Sequence, residues 1–153
     1  MANTFTQLRV QIVFAVLGRE NMVKETHRLE VEKYITGVIQ KRNHKMLAIY
    51  CMPDHLHMFI GLHPGQSISK LVEEVKRTSQ KFINSQKWMA FKFQWQRGYG
   101  AFSYSKSHTD SVVKYILNQP EHHKKKTFKE EYQEMLHKLD IKYNQEYLFE
   151  FYD

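Results

Sequence analysis

The chain has 153 residues, 42% of them hydrophobic and 25% charged, with six Gly and three Pro. This composition suits one globular domain spanning 1–153 and excludes collagen-like and long disordered classes. The net charge of +7 points to a polyanionic partner, with nucleic acid ahead of an acidic membrane surface.

No stretch approaches the roughly 20 apolar residues of a membrane span, and no basic region followed by an apolar stretch opens the chain. Cys51 is the only cysteine, which rules out an internal disulfide and fits a reducing cytoplasm.

Residues 8–16 are apolar and β-branched and predict a buried first strand. Leu29, Val31, Ile35, Val38 and Ile39 approximate helical spacing over 27–42. Residues 46–52 and 55–62 read as two strands joined by Pro53-Asp54, and 63–66 as a loop. Ser67 suits a helix N-cap. Ile68, Leu71, Val72, Val75, Phe82 and Ile83 then form an apolar stripe. Lys70, Lys76, Arg77 and Lys81 lie outside it, either as a solvated face or as phosphate contacts.

Residues 91–96 and 101–105 are short strand candidates around the turn Arg97-Gly98-Tyr99-Gly100. Ser107 with Asp110 resembles a capping box for a helix that Pro120 should stop or kink just after Gln119. Thr127 with Glu130 marks a further helix to about Leu139. The aromatic, acidic tail 141–153 is expected to pack on the domain or on a partner chain. The order of elements predicts an α+β, ferredoxin-like plan: an antiparallel sheet with two helices on one face, followed by C-terminal helices.

His55 and His57 lie one residue apart on the third strand. A strand sends alternate side chains to one face, so both imidazoles point the same way with Cα atoms roughly 6.6 Å apart. That separation lets them converge on one metal ion. The competing reading is two surface histidines on a half-exposed sheet. Tyr115 and Gln119, four apart on a predicted helix, share a face. They read either as core-edge residues making a hydrogen bond or as a nucleophile and an oxygen ligand.

Taken together, the two pairs describe a chemistry. A phenol with its pKa near 10 is a poor nucleophile at neutral pH. It can attack a phosphodiester when a metal polarises the phosphate. A hard cation, Mg²⁺ or Mn²⁺, accepts imidazole plus an amide oxygen and keeps positions for phosphate oxygens. Attack leaves a covalent phosphotyrosine that conserves the bond for rejoining. Asp54 is a candidate partner to orient a histidine.

These residues resemble a known family, the single-tyrosine HUH transposases of small bacterial insertion sequences that move as single-stranded DNA. The resemblance rests on Met52-Pro53-Asp54-His55-Leu56-His57, on the segment from Phe93 to Ser103, on Tyr115 with Gln119, and on the run from Asn118 to Lys124. It implies a ferredoxin-like fold and a homodimer in which the tyrosine helix can complete the partner's site. It implies recognition of DNA hairpins, His55, His57 and Gln119 as metal ligands, and Tyr115 as the nucleophile. Cleavage would leave a 5′-phosphotyrosine and a free 3′-hydroxyl, without a nucleotide cofactor. The motifs are shared with domesticated relatives associated with repetitive extragenic palindromes, which bind and process hairpins. Gln11 stands where relatives lead one to expect a histidine.

Lys41, Arg42, Lys76, Arg77, Lys81, Arg97, His122, His123 and Lys124 are candidate nucleic-acid contacts. Two rivals remain at this stage. One is a non-catalytic binding module of the same fold; the other is a zinc hydrolase using His55, His57 and His122.

Overall fold

A computed structural model describes residues 3–152. Four strands, β1 (Arg9–Ala15), β2 (Lys45–Cys51), β3 (His55–Gly61) and β4 (Gly100–Tyr104), form one sheet in the order β2-β3-β1-β4. All neighbours pair antiparallel. Helices α1 (Glu25–Lys41) and α2 (Ile68–Gln86) occupy the two crossovers of the predicted ferredoxin-like order. Apart from the strand candidate at 91–96, the expected strand and helix cores are present, with their ends shifted by at most two residues.

Register assigns each face. Val13 pairs with His57, Ala15 with His55, and Gln11 with both Phe59 and Phe102. Paired residues share a face, so Gln11, His55, His57, Phe59 and Phe102 lie together. The opposite face carries Ile12, Phe14, Met58 and Ile60, buried with Leu71, Val72 and Val75 of α2 and Val31 and Ile35 of α1. The Ser67 side chain caps α2 by accepting from the Lys70 amide at 3.3 Å.

Helix α3 (Thr109–Leu117) covers the histidine face, packing Val112 and Ile116 on Ala48 and Phe59. After Asn118 comes the four-residue helix α4 (Gln119–His122), with Pro120 in its first turn. α3 therefore ends two residues short of the predicted stop, and Pro120 sits in the first turn of the next helix instead, where its missing N–H costs nothing. Helix α5 (Phe128–Lys138) opens with the Thr127–Glu130 capping box that the sequence predicts. The tail packs on its own chain. Phe149 is buried beside Phe128 and Tyr132, and Gln96 clasps the backbone of Glu150 through bonds of 2.8 and 2.7 Å. Asp153, the last residue of the predicted tail, lies outside the described residues.

Two local expectations fail. Residues 91–96 are not a strand, for only Trp95 bridges to Val16. Side-chain amides of α2 take the place of a neighbouring strand. Asn84 bonds both the N–H and the C=O of Phe93, and Gln80 accepts from the Trp95 N–H. Ser107 and Asp110 do not form a capping box either. A 3₁₀ turn, Lys106–His108, precedes α3, and the Ser107 hydroxyl bonds Ser105 at 2.9 Å within it.

Glycine decides one contact that positions α5. A Cβ at Gly100 would lie 2.6 Å from the Tyr132 hydroxyl, so only glycine lets α5 approach β4 this closely. Two residues earlier, Gly98 has φ +83°, the left-handed conformation its turn needs.

Candidate active site

His55 and His57 are 1% and 0% exposed, which disposes of the surface-histidine reading. β3 lies in the middle of the sheet, and α3, α4 and α5 close over its histidine face. Each imidazole is oriented through Nδ1. Asp54 Oδ1 lies 2.7 Å from Nδ1 of His55, and Gln11 Oε1 lies 2.7 Å from Nδ1 of His57. An Nδ1–H donated to these oxygens leaves Nε2 with its lone pair free, the tautomer that binds metal. Asp54 thus lies within hydrogen-bond reach of one of the two rings. Gln11 takes an equivalent role on the other ring and donates its own Nε2 to Tyr104 at 3.2 Å.

The two Nε2 atoms face a common point. Gln119 Oε1 lies 3.2 Å from Nε2 of His55, so the structure brings the three expected ligands together. It adds one that sequence reasoning missed. Glu131 on α5 is buried, and its Oε1 lies 3.0 Å from His57 Nε2 and 3.6 Å from His55 Nε2. Among the described residues, His55, His57 and Glu131 form a cluster whose ligand atoms lie within 4.8 Å of one another. The zinc-hydrolase set does not form: His122 Nε2 is 3.5 Å from the other Glu131 oxygen and stands outside this cluster.

Tyr115, half-buried on α3, is in the same chain as the histidines and has its ring 5.9 Å from that of His57. Its hydroxyl donates to Glu131 Oε2, and Gln119 Nε2 donates to the same oxygen at 2.8 Å. Burial and the adjacent Glu131 carboxylate push the Tyr115 phenol well above its ordinary pKa. Burial opposes ionisation of Glu131 itself. The imidazoles of His57, His123 and His55 outweigh it and hold the carboxyl far below the usual range. Burial holds His57 below the ordinary imidazole value, against the pull of Glu131. A cavity of about 390 Å³ between α3 and α5 opens onto Tyr115, Gln11, Tyr104 and Glu131.

The donor set fits a divalent cation. Imidazole nitrogens, an amide oxygen and a carboxylate oxygen are all acceptors, and the protons of the imidazoles are directed elsewhere.

The candidate nucleic-acid contacts are scattered. His123 Nε2 reaches Glu131 Oε1 at 3.2 Å and, with His122, flanks Tyr115. Arg77 and Lys81 line a surface cleft with Lys92, on the helix that covers the far side of the sheet. Lys41, Arg97 and Lys124 are exposed, and Lys124 pairs with Glu121 at 3.0 Å. Arg42 is engaged by Glu74 at 2.8 Å. Lys76 donates to the carbonyls of Gln96 and Gly98 at 2.8 and 2.5 Å, and its burial lowers its pKa to about 8. Its ammonium fastens the turn before β4.

Fold and site together set a buried histidine pair and a tyrosine on one face of a four-stranded antiparallel sheet. Residues 4–119 match the IS200-like transposase family, and the chain belongs to it. It is 27% identical over 129 residues to the transposases for insertion sequence element IS200 of Salmonella typhimurium and Salmonella typhi, covering 81% of this chain and 84% of each relative. Two solved structures share the fold. One, from Deinococcus radiodurans and assigned as a transposase, has a TM-score of 0.61 at 18% identity over 78% of this chain and 95% of its own. The other is a REP-associated tyrosine transposase bound to a REP hairpin, with a TM-score of 0.60 at 17% identity over 80% of this chain and 73% of its own.

Proposed function

We propose that this protein cleaves and rejoins single-stranded DNA at hairpin-marked element ends, through a covalent 5′-phosphotyrosine and with a divalent metal. The observation that carries the reading is that nucleophile and cation site share one wall. Tyr115 and Gln119 both bond the Glu131 oxygen whose twin faces His57. A bound Mg²⁺ or Mn²⁺ would supply Lewis acidity, polarising a phosphoryl oxygen and neutralising charge that develops in the transition state. His55, His57 and Gln119 would hold it.

The Tyr115 oxygen attacks phosphorus, and the bond from phosphorus to the 3′-oxygen breaks. The phenol loses its proton and the departing 3′-oxygen gains one, leaving a 5′-phosphotyrosine and a 3′-hydroxyl. Attack of a 3′-hydroxyl on the phosphotyrosine reverses the step and rejoins the strand. Because burial and Glu131 keep the phenol protonated in the free protein, the tyrosine stays inert until a phosphate and a cation are beside it.

Two partners complete the reading. Hairpin-bearing single-stranded DNA is the substrate, the ligand class of the REP-associated neighbour. Lys41, Arg77, Lys81, Arg97, Lys124, His122 and His123 are its candidate contacts. A second copy of the chain is the other partner, as the family resemblance implies, and the cytoplasm is the compartment. Among the described residues no helix is long and apolar enough to cross a membrane.

The test is covalent trapping on hairpin DNA from the flanks of its own gene, with Mg²⁺ or Mn²⁺, on a denaturing gel beside Tyr115→Phe. The expected result is a metal-dependent adduct whose formation falls by about 10⁴-fold or more in the variant. Binding without an adduct would support the non-catalytic module instead, and an adduct that survives Tyr115→Phe would move the nucleophile elsewhere.

A further inference from the structure

We infer that Glu131 is itself a ligand of the cation, and that its second oxygen positions both Gln119 and the nucleophile. The centre is then two histidines, a glutamine and a glutamate, one anionic ligand more than the motifs imply. The inference rests on the metal-dependent reading above.

Geometry is the first support. Glu131 Oε1 lies 3.0 Å from His57 Nε2 and 3.6 Å from His55 Nε2, and Gln119 Oε1 lies 3.2 Å from His55 Nε2. Ligands about 2.1 Å from one ion at near-right angles lie about 3 Å apart. The imidazole protons go to Asp54 and Gln11, and Gln119 turns its N–H to Glu131 Oε2. Lone pairs of two imidazoles, an amide and a carboxylate therefore border one volume, with His123 Nε2 beside it at 3.2 Å from Glu131 Oε1, an arrangement that a cation relieves.

Charge is the second support. Two neutral imidazoles and an amide would leave a divalent ion uncompensated in a buried site, at a large desolvation cost. The Glu131 carboxylate neutralises half of that charge and leaves the rest for a phosphate.

Helix α5 supplies the third. Phe128 stacks on the His55 ring at 3.8 Å between centroids and 3° between planes. Phe128 and Glu131 are three apart, so a single helix face both wedges the histidine and delivers the carboxylate. The alternative role for Glu131 is a structural counter-charge to His122 and His123, whose Nε2 atoms lie 3.5 and 3.2 Å from it.

Mn²⁺ binding to the full chain separates these roles. Wild type, Glu131→Gln, Glu131→Asp and His55→Ala would be titrated by calorimetry, with circular dichroism to confirm folding. The ligand role predicts that Glu131→Gln weakens Mn²⁺ binding by about ten- to a hundredfold, and that Glu131→Asp recovers part of the loss. If Glu131→Gln does not fold, Glu131→Asp carries the test, and unchanged affinity there overturns the ligand role.

The positioning role predicts that the trapping rate of Glu131→Gln stays about tenfold or more below wild type even at saturating Mn²⁺. A wild-type rate at saturation overturns that half alone. Affinity for Mn²⁺ within about twofold of wild type in Glu131→Gln, with binding lost in His55→Ala, overturns the ligand role and leaves the metal reading intact. A wild type that binds no Mn²⁺ overturns both.

Discussion

Against α1 and α2 the sheet buries Ile12, Phe14, Met58 and Ile60; against α3 and α5 it buries Gln11, His55 and His57. The first interface is held by apolar area, which has no direction and tolerates small shifts. The second adds to the apolar contacts of Ala48, Phe59, Val112 and Ile116 a set of hydrogen bonds, each of which demands a partner at a set place. Gln11, His57, Glu131, Gln119, His55 and Asp54 form an unbroken chain of contacts. The lesson is a division of labour: one face makes the sheet stable, and the other spends part of that stability on holding polar groups in place.

The widest separation of the two faces comes from Leu71→Ala, at a fully buried position on α2. It should cost about 2–5 kcal/mol in urea unfolding while leaving the Mn²⁺ affinity of the folded protein unchanged. A loss of affinity there would mean that the faces are not independent. Gln11→Ala tests the opposite arm. With His57 Nδ1 no longer held, Mn²⁺ affinity should fall by about ten- to a hundredfold, measured by calorimetry; an unchanged value would reduce Gln11 to packing. Gly100→Ala sharpens the boundary between them. The new Cβ meets the Tyr132 hydroxyl, so α5 must shift, with a stability loss of about 1–3 kcal/mol. Because α5 carries Glu131, the same substitution should also weaken Mn²⁺ binding, unlike Leu71→Ala.

The sheet was legible because its strands are apolar runs of near-ideal length with clear breaks at Pro53-Asp54 and 63–66. The histidine pair was legible for the same reason, since strand alternation dictates a shared face. The segment 91–96 misled because alternating Phe91, Phe93 and Trp95 looks the same whether a strand or the amides of α2 bond its backbone. Glu131 was missed because an acid in the first turn of a helix has an ordinary explanation in capping and the helix dipole.

Its signal was present nonetheless. Glu131 falls inside the buried stripe of Phe128, Tyr132 and Leu136, where a carboxylate needs a partner. That partner lies 74 residues away, a distance that no local pattern spans. Gln11 was noticed as a departure from the expected histidine, but its bond to His57 became visible only when the register set β1 beside β3.

That separation also has a consequence in time. His57 leaves the ribosome 74 residues ahead of Glu131, roughly 4 to 15 seconds earlier at ordinary elongation rates. The tail residues that brace α5, Phe149 and Glu150, follow later still. The sheet can therefore assemble around an open pair of histidines, and the polar lid arrives after it. A nascent chain stalled before α5 would display the two imidazoles without the carboxylate that faces them in the folded protein.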